Sequence, residues 1–300
     1  MYYLYFTICY LLSLPPLWVL YRLSDVLYVV VYYLLGYRRE VVRANLLQAF
    51  PEKTAAERER IARRFYRNLT DMMVEAIKLM TLSRRQLQRR FTGDLTLLKE
   101  LEQQGRGYQI HLGHYFNWEW ANLYIKSRVS LPFLVAYKPL RSRPADRLFN
   151  RIRTRFGSVM IPSTRVSEAM APWQGKQFIN VLVADQNPVK VRRAYWYPFL
   201  HKMTAFFKGP ELSARRADRA VVYGEISHRG RGRYHITVAL VSDHPAREPE
   251  GAVTARFVAL LEEGIRRNPE NWVWSHRRWK HAFGGEQAGP EQAADAVPQT

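Results

Sequence analysis

From Leu4 to Tyr21 the chain reads LYFTICYLLSLPPLWVLY, eighteen residues without one charged side chain. After Arg22 and Asp25 a second apolar run, VLYVVVYYLLGY, continues to Tyr37. At 1.5 Å per residue the first run makes about 27 Å of helix, the lower limit for crossing a hydrocarbon core. The Pro15-Pro16 pair interrupts it, because two prolines remove backbone donors and kink or split a helix. Three arrangements are open: a single tilted anchor, a broken or re-entrant hairpin lying partly in the interface, or a helical pair buried inside a soluble domain. No basic stretch precedes the run and no small-x-small site follows it, which argues against a cleaved signal peptide. Tyr and Trp side chains suit the headgroup level, with one apolar and one wet side. Arg38, Arg39 and Arg43, then Arg58, Arg60, Arg63, Arg64 and Arg67, follow the apolar block. By the positive-inside rule they put the rest of the chain in the cytoplasm, and they strengthen contact with anionic lipid.

Composition narrows the partners. The 300 residues include 46 Lys and Arg against 26 Asp and Glu, a formal charge of +20, and call for an anionic partner, either nucleic acid or a membrane. With 13% aromatic residues the chain is no disordered polymer, and its length can bury a core without disulfides or a metal. The lone Cys9 cannot form an internal disulfide.

Beyond Arg38 the pattern is helical to about Arg90. One helix closes at Phe50-Pro51, Thr54 with Glu57 forms a capping box for a second, and Ser83 with Gln86 opens a third. Strands are expected at YQIHL (108–112), LPFLVAY (131–137), FINVLVAD (178–185), RAVVYGEI (219–226) and YHITVALV (234–241). Helices are expected at Trp118–Ser127, Ala145–Phe156, Arg165–Ala171 and Ala252–Arg267. Strands separated by helices make an α/β layered sheet with flanking helices. The turn HRGRGR joins the last two strands as an antiparallel hairpin at one edge. Three regions follow: an apolar membrane anchor or hairpin over 1–37, a single α/β domain over 38–280, and a disordered tail over 281–300. No P-loop, dinucleotide fingerprint, EF-hand, zincin motif or cysteine cluster occurs.

The stretch HLGHYFNWEW, His111 to Trp120, lies between an expected strand and an expected helix, where open α/β sheets carry reactive side chains. With His114 on the loop and Glu119 in the first helical turn, the carboxylate can reach back to the imidazole, fix its tautomer and stabilise the imidazolium. The spacing by itself is a weak signal and fits better an ordinary loop histidine beside a helix-terminal charge. There is no G-x-S-x-G elbow, so a basic His114 would activate a substrate hydroxyl, as in direct acyl transfer.

GHYFNWEW resembles the G-H-F-G-N-W-E block of the bacterial lipid A late (secondary) acyltransferases, the lauroyl/myristoyl transferase family. Four more blocks agree in order: YKPLRSRPADRLFNRIRTRFG (137–157), VADQNP (183–188), AFFKGP (205–210) and EEGIRRNPENWVWSHRRWK (262–280). The resemblance covers nearly the whole chain apart from the tail. It implies His114 as general base with Glu119 as its partner, on a glycerol-phosphate-acyltransferase-like α/β fold with an N-terminal membrane anchor. It also implies an acyl thioester donor, carried by acyl carrier protein or coenzyme A, and a hydroxyl of a phosphorylated lipid A precursor as acceptor. The alternative is another membrane lipid, a lysophospholipid or an aminolipid. No metal or redox cofactor is expected, the location is the cytoplasmic face of the inner membrane, and nucleic acid is not a partner.

Three positions depart from the family pattern: Phe116 replaces a small residue beside the reactive histidine, Lys138 stands where arginine is common, and Asn187-Pro188 follows Asp185-Gln186. Asn117 either caps the helix or donates to the developing oxyanion. Lys138 either binds an acceptor phosphate or is a solvated lysine. Asp185 orients the site, binds a sugar hydroxyl or joins a structural ion pair. In WVWSHRRWK at least two tryptophans suit the core, while Arg277 and Arg278 are, by the family pattern, phosphate contacts.

Overall fold

The computed structural model describes residues 2–188 and 191–283, so the expected tail lies outside the described residues from position 284 onward. It is a mixed α/β fold whose seven-stranded sheet is flanked by helices. Across the sheet the order is β1 (Phe91–Gly93), β9 (Arg233–Ser242), β8 (Ala220–Gly230), β2 (Tyr108–Leu112), β5 (Ile179–Val183), β3 (Phe133–Tyr137) and β4 (Ser158–Pro162). All neighbours are parallel except β8 and β9, which are antiparallel. The expected hairpin is therefore real, but β1 pairs outside it and takes the edge.

The central strand β2 is buried along its whole length, as a strand covered by helices on both faces must be. Gly224 on β8 faces it; a Cβ there would stand 2.5 Å from Leu112 Cδ2, so a larger residue would have to displace that leucine side chain. His111 points into the core on the same strand, and burial pushes its imidazole down to about 4.

A second, two-stranded sheet escapes the sequence reading: β6 (Ala194–Phe199) and β7 (Lys202–Phe207) pair antiparallel. Their turn is Leu200-His201, both at positive φ (49° and 65°). Turns of that hand usually announce themselves with Asn-Gly, and here no such signal exists.

The helical expectations hold closely. The helix α3 (Arg39–Ala49) ends before Phe50-Pro51. The long helix α4 (Ala55–Lys78) and α5 (Arg84–Arg90) both open with the anticipated capping boxes at Thr54/Glu57 and Ser83/Gln86. Ile61, Phe65, Tyr66 and Leu69 form the buried stripe of α4. The remaining helices are α6 (Thr96–Gln103), α7 (Trp118–Lys126), α8 (Arg143–Arg153), α9 (Val166–Met170), α10 (Gly209–Arg216) and α11 (Ala252–Arg267); α7 and α8 contact β4, and α11 contacts β8 and β9.

At the N-terminus, α1 (Tyr2–Ser13) and α2 (Leu17–Tyr28) are separated at Pro15-Pro16, and α2 runs on into a π-helical turn, Val29–Leu34. By length and composition Leu17–Leu34 could cross a membrane, with a mean hydropathy of 1.4, and it is consistent with a membrane anchor.

Glu75 of α4 ties this N-terminal unit to the reactive loop. It is fully buried and accepts from Tyr21 Oη (2.7 Å), Tyr234 Oη (2.6 Å) and Asn117 Nδ2 (2.9 Å). Burial pushes its carboxyl up to about 7, against the pull of those three donors. The native state thus retains a proton that the unfolded chain releases near pH 4.5. This contribution to stability is full below that pH and is lost as pH rises toward 7. Against a Glu75→Gln variant, wild-type stability should therefore decline between pH 4.5 and 7 by about 3 kcal/mol. Denaturation in detergent micelles across that range measures it. A difference between the two proteins that does not change with pH contradicts the assignment.

Candidate active site

The sheet's geometry brings the site together. β2 and β5 are adjacent and parallel, with Leu112 opposite Val183, so both strands leave the sheet at the same crest. Ala184 N still donates to Leu112 O at 3.0 Å, which keeps the two exits side by side for one residue more. Gly113 then carries the chain under α11. A Cβ there would lie 2.5 Å from Leu261 Cδ1 and 3.4 Å from Asp185 Oδ2, so a side chain here would push on α11 and crowd Asp185.

The result is a pairing of His114 with Asp185. The imidazole Nδ1 is hydrogen-bonded to Asp185 Oδ1, and the other carboxylate oxygen accepts from His114 N at 2.7 Å and from Trp272 Nε1 at 2.6 Å. Asp185 is 1% exposed, whereas the His114 side chain is 21% exposed. Burial by itself would raise the Asp185 carboxyl. The imidazole and the two N–H donors outweigh it and hold the carboxyl down at about 2. An ionised carboxylate at Nδ1 puts the ring proton there and leaves Nε2 as the acceptor. Gln186 Nε2 lies 3.1 Å from that nitrogen. Trp118 packs edge-on against the ring, with centroids 5.4 Å apart.

The rear wall comes from the C-terminal segment. Phe116 N donates to Asn271 O (3.0 Å) and Val273 N to His114 O (3.2 Å), so the loop and this segment form a short antiparallel bridge. Trp272, Trp274 and Trp279 are all buried, which meets the expectation that at least two of them belong to the core.

Glu119 is not beside the imidazole. It lies in the first turn of α7, 4% exposed, and both its oxygens are taken by Arg153 of α8, with Nε to Oε2 at 2.9 Å. The expected His114–Glu119 contact is corrected to His114–Asp185. The reason is directional: α7 starts at Trp118, and its first turn aims Glu119 across to the end of α8. Asn117 is the helix cap. Its Oδ1 accepts from Glu119 N and Trp120 N at 3.1 Å each, and its amide nitrogen is spent on Glu75. Arg278 is corrected as well: at 1% exposure it bonds Asn187 Oδ1 and Ala205 O (2.8 Å each) and lies over the Phe206 ring. Burial lowers its guanidinium to about 9, and two of its nitrogens are taken by protein acceptors. Lys138, just past β3, and Arg277 are both exposed, and the Arg277 carbonyl accepts from Asn187, two residues beyond Asp185. Phe116 is fully buried between Phe65 and Trp118, the ring that packs against His114.

The chain matches the model of the bacterial lipid A biosynthesis acyltransferases over residues 1–281. It belongs to that family. A lipid A biosynthesis palmitoleoyltransferase of Escherichia coli (strain K12) is 22% identical over 252 residues, covering 83% of this chain and 81% of the relative. A lipid A biosynthesis acyltransferase of Shigella flexneri matches to the same extent. The protein is accordingly an acyltransferase of the O-acyl type, and its reaction is lipid A-related.

For such an acyltransferase the crest has the parts of a general-base site: a half-buried imidazole, a buried ionised carboxylate behind it, and an amide at the free nitrogen. The sequence marks Trp272 only as one of the tryptophans of WVWSHRRWK and Gln186 only as the neighbour of Asp185, and places neither at the imidazole. Gln186 had a signal, since it follows an acid at a strand end. Trp272 had none, because its partner lies 87 residues away.

Proposed function

We propose that the enzyme transfers a fatty acyl chain from an acyl thioester on acyl carrier protein to a hydroxyl of a phosphorylated lipid A precursor, at the cytoplasmic face of the inner membrane. The observation that carries this reading is the His114–Asp185 pair at the crest of β2 and β5. In this reading the acceptor hydroxyl replaces the Gln186 amide at His114 Nε2 and gives that nitrogen its proton as its oxygen attacks the thioester carbonyl. The imidazolium is held against the Asp185 carboxylate. The tetrahedral intermediate collapses to the ester, the C–S bond breaks, and the departing thiolate takes the proton back from Nε2. The released Gln186 amide supplies an N–H donor for the oxyanion. Exposed Lys138 and Arg277 offer charge to the phosphates of the acceptor, and the excess of +20 suits both an acidic carrier and an anionic bilayer.

The test is a mass-spectrometric comparison of lipids from cells with and without the protein, followed by assay of the purified enzyme with acyl carrier protein and coenzyme A thioesters. The expected result is loss of one acyl chain from lipid A and faster transfer from the carrier protein. A change confined to a phospholipid or an aminolipid would move the acceptor to that lipid.

A further inference from the structure

The N-terminal apolar unit carries an inference independent of the reaction. α2 and its π-helical extension lie antiparallel along α4 for their whole length. Tyr21 meets Glu75 (2.7 Å), Ser24 meets Asp71 (2.6 Å), Tyr28 lies under the Arg67 guanidinium (5.2 Å), and Tyr32 bonds Glu59. Three further ties close the unit onto the domain. Arg231, at the tip of the β8–β9 hairpin, donates to Asp71 Oδ2 (2.8 Å), to Asp25 Oδ1 (2.7 Å) and to the Tyr21 carbonyl (3.1 Å). Lys78 Nζ donates to the carbonyls of Ser13 (2.8 Å) and Pro15 (2.9 Å), which caps α1 and holds the Pro15-Pro16 break at the end of α4. At Gly232 a Cβ would meet Tyr21 Oη at 1.9 Å, so the hairpin tip is pressed directly on α2.

A helix fastened in this way cannot cross a bilayer by itself. Placing Leu17–Leu34 across the hydrocarbon would draw in α4 beside it, with Glu59, Arg63, Arg67, Asp71 and Glu75, and the Arg231 pins as well. The exposed Arg63 and Arg67 of that helix would then face hydrocarbon, which does not tolerate such charge. The outward face is nevertheless apolar: Leu4, Ile8 and Leu11 of α1 and Trp18, Val29 and Leu34 beyond the break are 46–74% exposed. Guanidinium groups border that face. Arg147 and Arg151 of α8 stand over the rings of Tyr2 and Phe6 at 4.3 and 4.6 Å, and the Arg22 side chain is 83% exposed. Apolar side chains rimmed by aromatic rings and arginines match the depth profile of one leaflet of an anionic bilayer, acyl chains inside and phosphates at the rim.

We infer that residues 2–34 form a wedge clamped to the catalytic domain that enters a single leaflet of an anionic phospholipid membrane without crossing it. The test uses the full chain with one epitope before Met1 and another after Thr300, in right-side-out and in inverted inner-membrane vesicles treated with protease. The two epitopes should share one fate in each preparation, both cleaved in one orientation and both protected in the other. Opposite fates would mean that a span separates them and would overturn the inference. In a second arm the purified protein is sedimented with vesicles of phosphatidylglycerol and phosphatidylethanolamine. The Trp18→Glu/Leu34→Glu double variant should lose at least tenfold in bound fraction while keeping its circular dichroism spectrum. Unchanged binding by that folded variant would remove the outward apolar face as the lipid contact.

Discussion

Asp185→Asn should lower acyl transfer by about 10⁴-fold in a protein that still folds, the scale seen when a buried carboxylate behind a catalytic histidine is neutralised. The size follows from which oxygen is bonded to what. Asp185 Oδ2 accepts from His114 N and from Trp272 Nε1, so in the variant the amide oxygen must occupy that position. The amide NH2 then faces His114 Nδ1, and two donors cannot share one hydrogen bond. The ring answers by carrying its proton on Nε2, which is the nitrogen that has to accept the hydroxyl proton. Turnover at saturating donor, with circular dichroism to confirm the fold, measures it; a loss under tenfold would remove Asp185 from the orienting role. Glu119→Gln is the contrasting variant. It leaves the His114–Asp185 pair in place and strips the counter-charge from Arg153, so its main effect should be a stability loss of about 3–5 kcal/mol, with a smaller fall in turnover than Asp185→Asn gives.

His114→Ala should abolish measurable transfer, at least about 10²- to 10⁴-fold, because it removes the nitrogen that takes the hydroxyl proton. Folding should survive. The ring is part-exposed on a loop, and the backbone N–H of residue 114 keeps its bond to Asp185 in the variant. Removing the imidazole also leaves a buried carboxylate with two N–H donors in place of three, at a cost of about 1–3 kcal/mol that thermal denaturation reads separately. Near-normal turnover by the folded variant would sink the general-base role.

Much of the fold could be read locally. Capping boxes at Thr54 and Ser83, the stop at Phe50-Pro51 and the apolar runs of β2, β3, β5, β8 and β9 are each set by residues within a few positions of one another. What escaped had no local mark: β1 has only three residues, β4 ends on a proline, and the β6–β7 turn uses Leu200-His201 in place of glycine or asparagine. The site divided along the same line. His114 is marked by its place between a strand and a helix, whereas its carboxylate was sought five residues away and lies 71 residues away.

The apolar block that heads the chain shows what each level decides. By itself the sequence determines that Leu4–Tyr21 and Val26–Tyr37 need an apolar surrounding, that Pro15-Pro16 divides the block, and that an α/β sheet with a histidine at one strand end follows. These depend on side-chain type and on spacing along the chain. Strand order decides that β5 lies beside β2, and only this adjacency brings Asp185 to His114 and leaves Glu119 to Arg153. Helix packing decides that α2 runs along charged α4, which turns a segment long enough to cross a membrane into one fastened to the domain. Both outcomes depend on contacts between distant segments, and the hydrogen bonds of one segment do not specify its neighbours.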